Sequence, residues 1–111
     1  MNKVIVSRTD GEIYSAVIED YKDYYKHLEA SMFDIVYVDW MGVKVSLMVD
    51  DEGLLKSGNL GRKAEGYPNP LFGHIVVLGL ADEEGVTLDL DERCNEEMVM
   101  VMISTCQWRV T

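Results

Sequence analysis

The sequence predicts an α+β fold, with one antiparallel sheet of about five strands and two helices packed on one face, residues 1–111 forming a single domain. Three observations lead there. Short segments that alternate apolar and polar residues come in pairs joined by tight turns. Tyr21 to Leu28 repeats its apolar residues at helical spacing. His74 to Leu80 (HIVVLGL) is a nearly unbroken apolar run, the pattern of a strand buried on both faces.

Lys3 to Arg8 (KVIVSR) is rich in β-branched residues and reads as the first strand. Thr9-Asp10-Gly11 turns the chain, and Glu12 to Ile18 alternates Ile13, Ser15 and Val17 against Tyr14, Ala16 and Ile18, so the pair is a hairpin. Asp20 is placed to cap a helix, with Asp23 reinforcing its start. Tyr21, Tyr24, Tyr25 and Leu28 share its apolar face, whereas Lys22, Lys26 and Glu29 fall on the wet side and His27 beside them. Phe33 to Val38 and Val43 to Val49 both alternate, which predicts a second hairpin with Trp40 exposed at its tip.

Asp50 to Gly66 follows, and the prolines of Tyr67-Pro68-Asn69-Pro70 disfavour helix in the residues before them. After the central strand, Asp82-Glu83-Glu84-Gly85 turns and Val86 to Leu88 reads as a short return strand. Asp89 or Asp91 then caps a closing helix whose inner face carries Cys94, Met98, Val101, Met102 and Thr105. Met98 to Ile103 (MVMVMI) also alternates like a strand; the cap and the length favour helix.

A chain of 111 residues fits one domain and buries roughly 60–70% of its unfolded surface, enough for a core without staples. No apolar run approaches the ~18 residues of a membrane span, and the start, MNKVIVSRTDG, is too short for a signal peptide. A cytoplasmic setting is therefore expected. Cys94 and Cys106 fit it as free thiols: twelve residues apart on one helix, they would stand about 18 Å from each other, too far to bridge.

The net charge is −10, from 20 acids against 10 bases. Free nucleic acid and anionic membrane repel such a chain, and basic protein surfaces attract it. The plain reading of the charge is solubility. The sharper one is a partner for a basic groove. Eight of the 20 acids lie between Asp82 and Glu97, and Glu83, Glu84, Asp91, Glu92, Glu96 and Glu97 are the candidate interface residues. Acids at the start of a helix also suit its dipole, which is the structural explanation for several of them.

Catalytic patterns are missing. His27 and His74 have no metal-ligand spacing, and Asp50-Asp51-Glu52-Gly53 lacks the alternation of a calcium loop. No P-loop, Gly-rich dinucleotide turn or nucleophile elbow occurs. The sequence thus reads as a non-enzymatic protein without metal or cofactor. A second candidate site is the stretch from Lys56 to Lys63, where Gly58 and Gly61 free the backbone to turn and Lys56, Asn59, Arg62 and Lys63 offer donors to a nucleotide or another small anion. Its structural reading is a connection whose Leu54 and Leu55 tuck into the core.

The run Asp51-Glu52-Gly53-Leu54-Leu55-Lys56, then Asn59 with Arg62-Lys63-Ala64, then Phe72-Gly73-His74-Ile75-Val76-Val77-Leu78 resembles the bacterial and phage proteins grouped as domain of unknown function 3846. Asn59-Leu60-Gly61 and the tail through Gln107-Trp108-Arg109 depart from that pattern. The resemblance implies no activity. It implies a setting in phages and other mobile elements, where small acidic proteins often block host defence. The expected function is accordingly inhibition or modulation of a basic host protein, one that handles nucleic acid or serves defence, through the acidic surface. Sequestration of a small anion is the alternative, and exposed Tyr37, Trp40 or methionine residues would suit a homodimer in either case.

Overall fold

The computed structural model describes residues 2–30, 32–40, 42–50, 60–65, 67, 71–81, 83–84, 87 and 89–109. Ten elements follow in order: β1 (Asn2–Ser7), β2 (Ile13–Ile18), α1 (Lys22–Leu28), β3 (Phe33–Trp40), β4 (Val43–Asp50), β5 (Leu60–Ala64), β6 (Leu71–Phe72), β7 (Ile75–Leu78), α2 (Glu96–Met102) and β8 (Ile103–Arg109). Five strands form an antiparallel sheet in the order β2-β1-β7-β4-β3, and a smaller sheet has the order β6-β5-β8.

The apolar run is the central strand, as its composition requires. Ile75, Val76 and Val77 have no exposed surface, because β1 pairs on one side, β4 on the other, and a cluster packs on each face. Both hairpins form. Asn2 to Ser7 pair in unbroken register with Ile18 to Ile13, and Phe33 to Trp40 with Asp50 to Val43. Gly11 and Gly42 take φ of 95° and 83° at their turns, a conformation that a side chain resists.

The two helices lie on opposite faces of the large sheet, not on one. Tyr24 and Leu28 of α1 pack with Val4, Val6, Met48, Val76 and Leu78. Val99 and Met102 of α2 pack with Ile5, Leu47, Ile75 and Val77. These two sets alternate along the same strands, so they point to opposite sides. The small sheet contributes Ala64, Leu71 and Ile103 to the α2 side and so helps cover that face.

The ends of the helices also differ from the sequence expectation. α1 begins at Lys22 after Tyr21, without a side-chain cap. Asp20 instead accepts from the Lys22 N–H, at 3.0 Å, and Asp23 accepts from the Glu19 and Asp20 N–H groups. α2 is capped by Asn95, whose Oδ1 accepts from the Met98 N–H at 2.9 Å, not by Asp89 or Asp91. It is about two turns long and gives way at Ile103 to β8, so Cys94 precedes the helix, while Thr105 and Cys106 follow it on a strand. Cys94 is a free, buried thiol. Trp40 is half-buried against the core and not exposed at a tip. Thr87 bridges Ala81; Val86 and Leu88 of the expected return strand lie outside the described residues.

Candidate functional site

β1 and β2 present Lys3, Ser15 and Val17 on the α2 side of the sheet, because Lys3 pairs with Val17 and Ile5 with Ser15. The segment leading into α2 crosses there. A groove of about 580 Å³ runs between Lys3 and Val17 on one wall and Asp89, Leu90, Glu92 and Cys94 on the other. A second groove joins it at Lys3 and is lined by Ser15, Asn95, Glu96 and Glu97. Glu92, Glu96 and Glu97 are exposed along this line, and the Ser15 hydroxyl donates to Glu96 Oε1 at 3.0 Å. Beyond the two glutamates, α2 turns Met100 and Val101 outward, at 64% and 65% exposure, while Val99 and Met102 are buried.

Of the candidate interface residues, the structure thus brings Glu92, Glu96 and Glu97 together. Asp91 lines the same groove but has a cationic partner. The Arg93 guanidinium grips it through Nη2 and Nε at 2.7 and 3.1 Å, and those bonds hold its carboxyl down at about 2. The same Nη2 donates to the Gly42 carbonyl at 3.2 Å, tying the β3–β4 turn to this segment. Glu83 and Glu84 are exposed on the separate excursion between Ala81 and Thr87 and line neither groove.

The loop candidate divides differently. Lys56 and Asn59 lie outside the described residues. Lys63 is exposed on β5. Arg62 is 3% exposed, turned into the interior rather than toward an anion at the surface. Its Nη1 donates to the carbonyls of Ser7 (2.7 Å) and Gly73 (3.2 Å), and its Nη2 to the Ser7 hydroxyl. Its Nε has no partner among the described residues. Burial lowers this guanidinium to about 10, against a small opposing pull from Asp10, as desolvation disfavours a charge. Arg62 therefore ties the small sheet to the end of β1 and the start of β7.

A polar cluster that sequence reasoning missed sits beside that arginine. Glu29, directly after α1, takes a left-handed conformation at φ 54° and ψ 45°. One of its oxygens accepts from Arg8 Nη2 at 2.8 Å and lies 2.6 Å from His74 Nε2. The Thr9 N–H donates to His74 Nδ1 at 3.1 Å, so the proton of the neutral ring belongs on Nε2. Both nitrogens are engaged, and the cluster fastens three chain segments instead of presenting a free base. His27 is half-buried, 2.8 Å from the Tyr14 hydroxyl through Nδ1. Nothing local in the sequence marks Glu29 and His74 as neighbours, since they stand 45 residues apart. Among the described residues no cluster of His, Cys, Asp and Glu is arranged to hold a metal.

No curated protein and no solved structure shows significant similarity to the chain. A family model does match, over residues 1–102, under the description Domain of unknown function (DUF3846). That match spans nearly all of the 111 residues, and the chain belongs to this family.

Proposed function

We propose that the protein is a non-enzymatic binding protein that docks on a basic surface of another protein through the outward face of α2 and the acidic grooves beside it. The observation that carries the reading is the pairing of Met100 and Val101, both well exposed, with Glu96 and Glu97 one turn before them on α2 and Glu92 in the adjoining groove. An apolar centre with a polar rim is the anatomy of a protein interface. The acidic rim selects a basic partner and speeds the encounter. Taken with the mobile-element setting that the family resemblance implies, the partner is a host protein of defence or nucleic-acid handling, which this chain inhibits or modulates in the cytoplasm.

The test is capture from a bacterial host lysate at low and high salt, repeated with two variants. A specific basic protein is expected to be retained at low salt and lost at high salt. Charge reversal by Glu92→Lys, Glu96→Lys and Glu97→Lys should weaken its capture at least about tenfold, and Met100→Ala with Val101→Ala should do so at either salt. Capture that ignores both variants would move the interface elsewhere on the molecule.

A further inference from the structure

The outer edge of β3 meets no strand among the described residues. It is an eight-residue strand in unbroken register with β4. Proteins usually blunt such an edge with lysine, proline, a bulge or a very short strand. β3 (FDIVYVDW) has none of these. Its exposed residues are two acids near its ends, Asp34 and Asp39, and between them the large apolar Ile35 and Tyr37. Of the seven large apolar residues exposed among the described ones, Met32, Ile35 and Tyr37 (55%, 40% and 63% exposed) lie on β3 or directly before it.

We infer that β3 pairs antiparallel with β3 of a second copy, about a two-fold axis at Val36, to make one continuous ten-stranded sheet. The symmetry itself restricts the register. A two-fold axis normal to the sheet places some residue opposite its own copy, and opposite residues point to the same face. With Val36 opposite Val36, Ile35 faces Tyr37 of the second copy and Tyr37 faces its Ile35. All four side chains project from the α1 side, since they alternate with Val36 and Val38, which pack on the α2 side. Met32 falls opposite Trp40. Asp34 and Asp39 fall opposite Val38 and Phe33, so no carboxylate meets another directly across the pair. Moving the axis to Tyr37 sets Ile35 against Asp39 and breaks both Ile35–Tyr37 pairs. The favoured register is thus the one that covers the exposed apolar residues and keeps the acids apart.

The charge of the chain gives this contact a signature that separates it from the acidic docking face. Two copies at −10 each repel, and salt screens that repulsion. Self-association should therefore strengthen as salt rises, the opposite of capture of a basic partner. The interface also lies on another edge of the molecule than α2, so either proposal can fail without the other.

The test is sedimentation velocity from about 1 μM to about 1 mM, at about 0.02 M and about 0.5 M NaCl. A monomer–dimer equilibrium shifted toward dimer by salt is expected. Ile35→Lys with Tyr37→Lys, both at exposed positions, should leave only monomer with an unchanged circular dichroism spectrum. Met100→Lys with Val101→Lys should leave the dimer intact. A monomer under every condition overturns the inference, as does a dimer that survives the Ile35/Tyr37 variant or is lost in the α2 variant. If the chain is monomeric and the Ile35/Tyr37 variant loses a captured partner, the edge takes a strand from that partner instead.

Discussion

Arg62 shows how a residue that looks like a ligand group serves the fold. In sequence it is one of three bases in a glycine-marked stretch. In structure its fork reaches across to Ser7 and Gly73 and joins two sheets. Removing it strands buried acceptors, which cost about 1–3 kcal/mol when left unmade. Arg62→Ala is therefore expected to destabilise the protein by about 2–4 kcal/mol, measured by urea unfolding, with Arg62→Lys recovering only part because an ammonium lacks the fork. A near-neutral Arg62→Ala would show that the guanidinium is not structural and would reopen the anion reading. Glu29 makes a second prediction. Arg8 first, then His74, holds its carboxylate below the usual range. Its pairing thus contributes fully above the ordinary carboxylate pKa and is lost as pH falls through the lowered folded value. The side chain is 57% exposed, so the pairing contributes at most about 1 kcal/mol, while the left-handed backbone costs a non-glycine residue about 1 kcal/mol or more. Glu29→Gly should be close to neutral at about pH 7 and increasingly stabilising toward about pH 3, read by urea unfolding at both. A variant whose stability relative to the wild type falls toward low pH would overturn this balance.

At the scale of elements, what was legible in the sequence is what local pattern controls. Both hairpins follow from alternation and from Asp10-Gly11 and Gly42, and the central strand follows from HIVVLGL. The closing helix was readable in kind but not in extent. MVMVMI satisfies both periods, and the chain uses both, as α2 to Met102 and then β8 from Ile103. The switch depends on β5, with which β8 pairs through Ala64–Ile103 and Lys63–Ser104. A partner about 40 residues away leaves no local mark. For the same reason the small sheet and the opposite placement of the helices were not legible, since the inner strands β1, β4 and β7 bury both their faces and α1 and α2 simply fill one each. The candidate site was legible as composition. Glu92, Glu96 and Glu97 could be named from charge density, but not the outward Met100 and Val101, which depend on where a short helix begins. Asn95 as cap, four residues after Asp91, rotates that face from the one expected.

For the whole molecule the ruling quantity is charge. Folding gathers a net −10 into a radius of gyration of 13.0 Å, where an unfolded chain of this length spreads over about 30 Å. Repulsion among unpaired carboxylates therefore opposes folding. The Debye length is about 30 Å at 0.01 M salt and about 3 Å at 1 M, against extents of 39 × 30 × 24 Å, so dilute buffer leaves most charges in each other's field. Raising NaCl from about 0.01 M to about 0.5 M is expected to raise the melting temperature by a few degrees, since about 1 kcal/mol corresponds to roughly 4–8 °C in a domain of this size. The exposed pairs Asp91–Arg93 and Arg8–Glu29 weaken over the same range, but exposed pairs contribute little, and the net charge should prevail. One variable then sets the fold and the β3 pairing, by sign, apart from the docking face. Salt should stabilise the fold, promote pairing of β3 with its copy, and release a basic partner from α2. A melting temperature that falls with salt would mean that local pairs outweigh the net charge. The acidic face would then be more nearly neutralised than its sequence implies, and attraction to a basic partner would lose its physical basis.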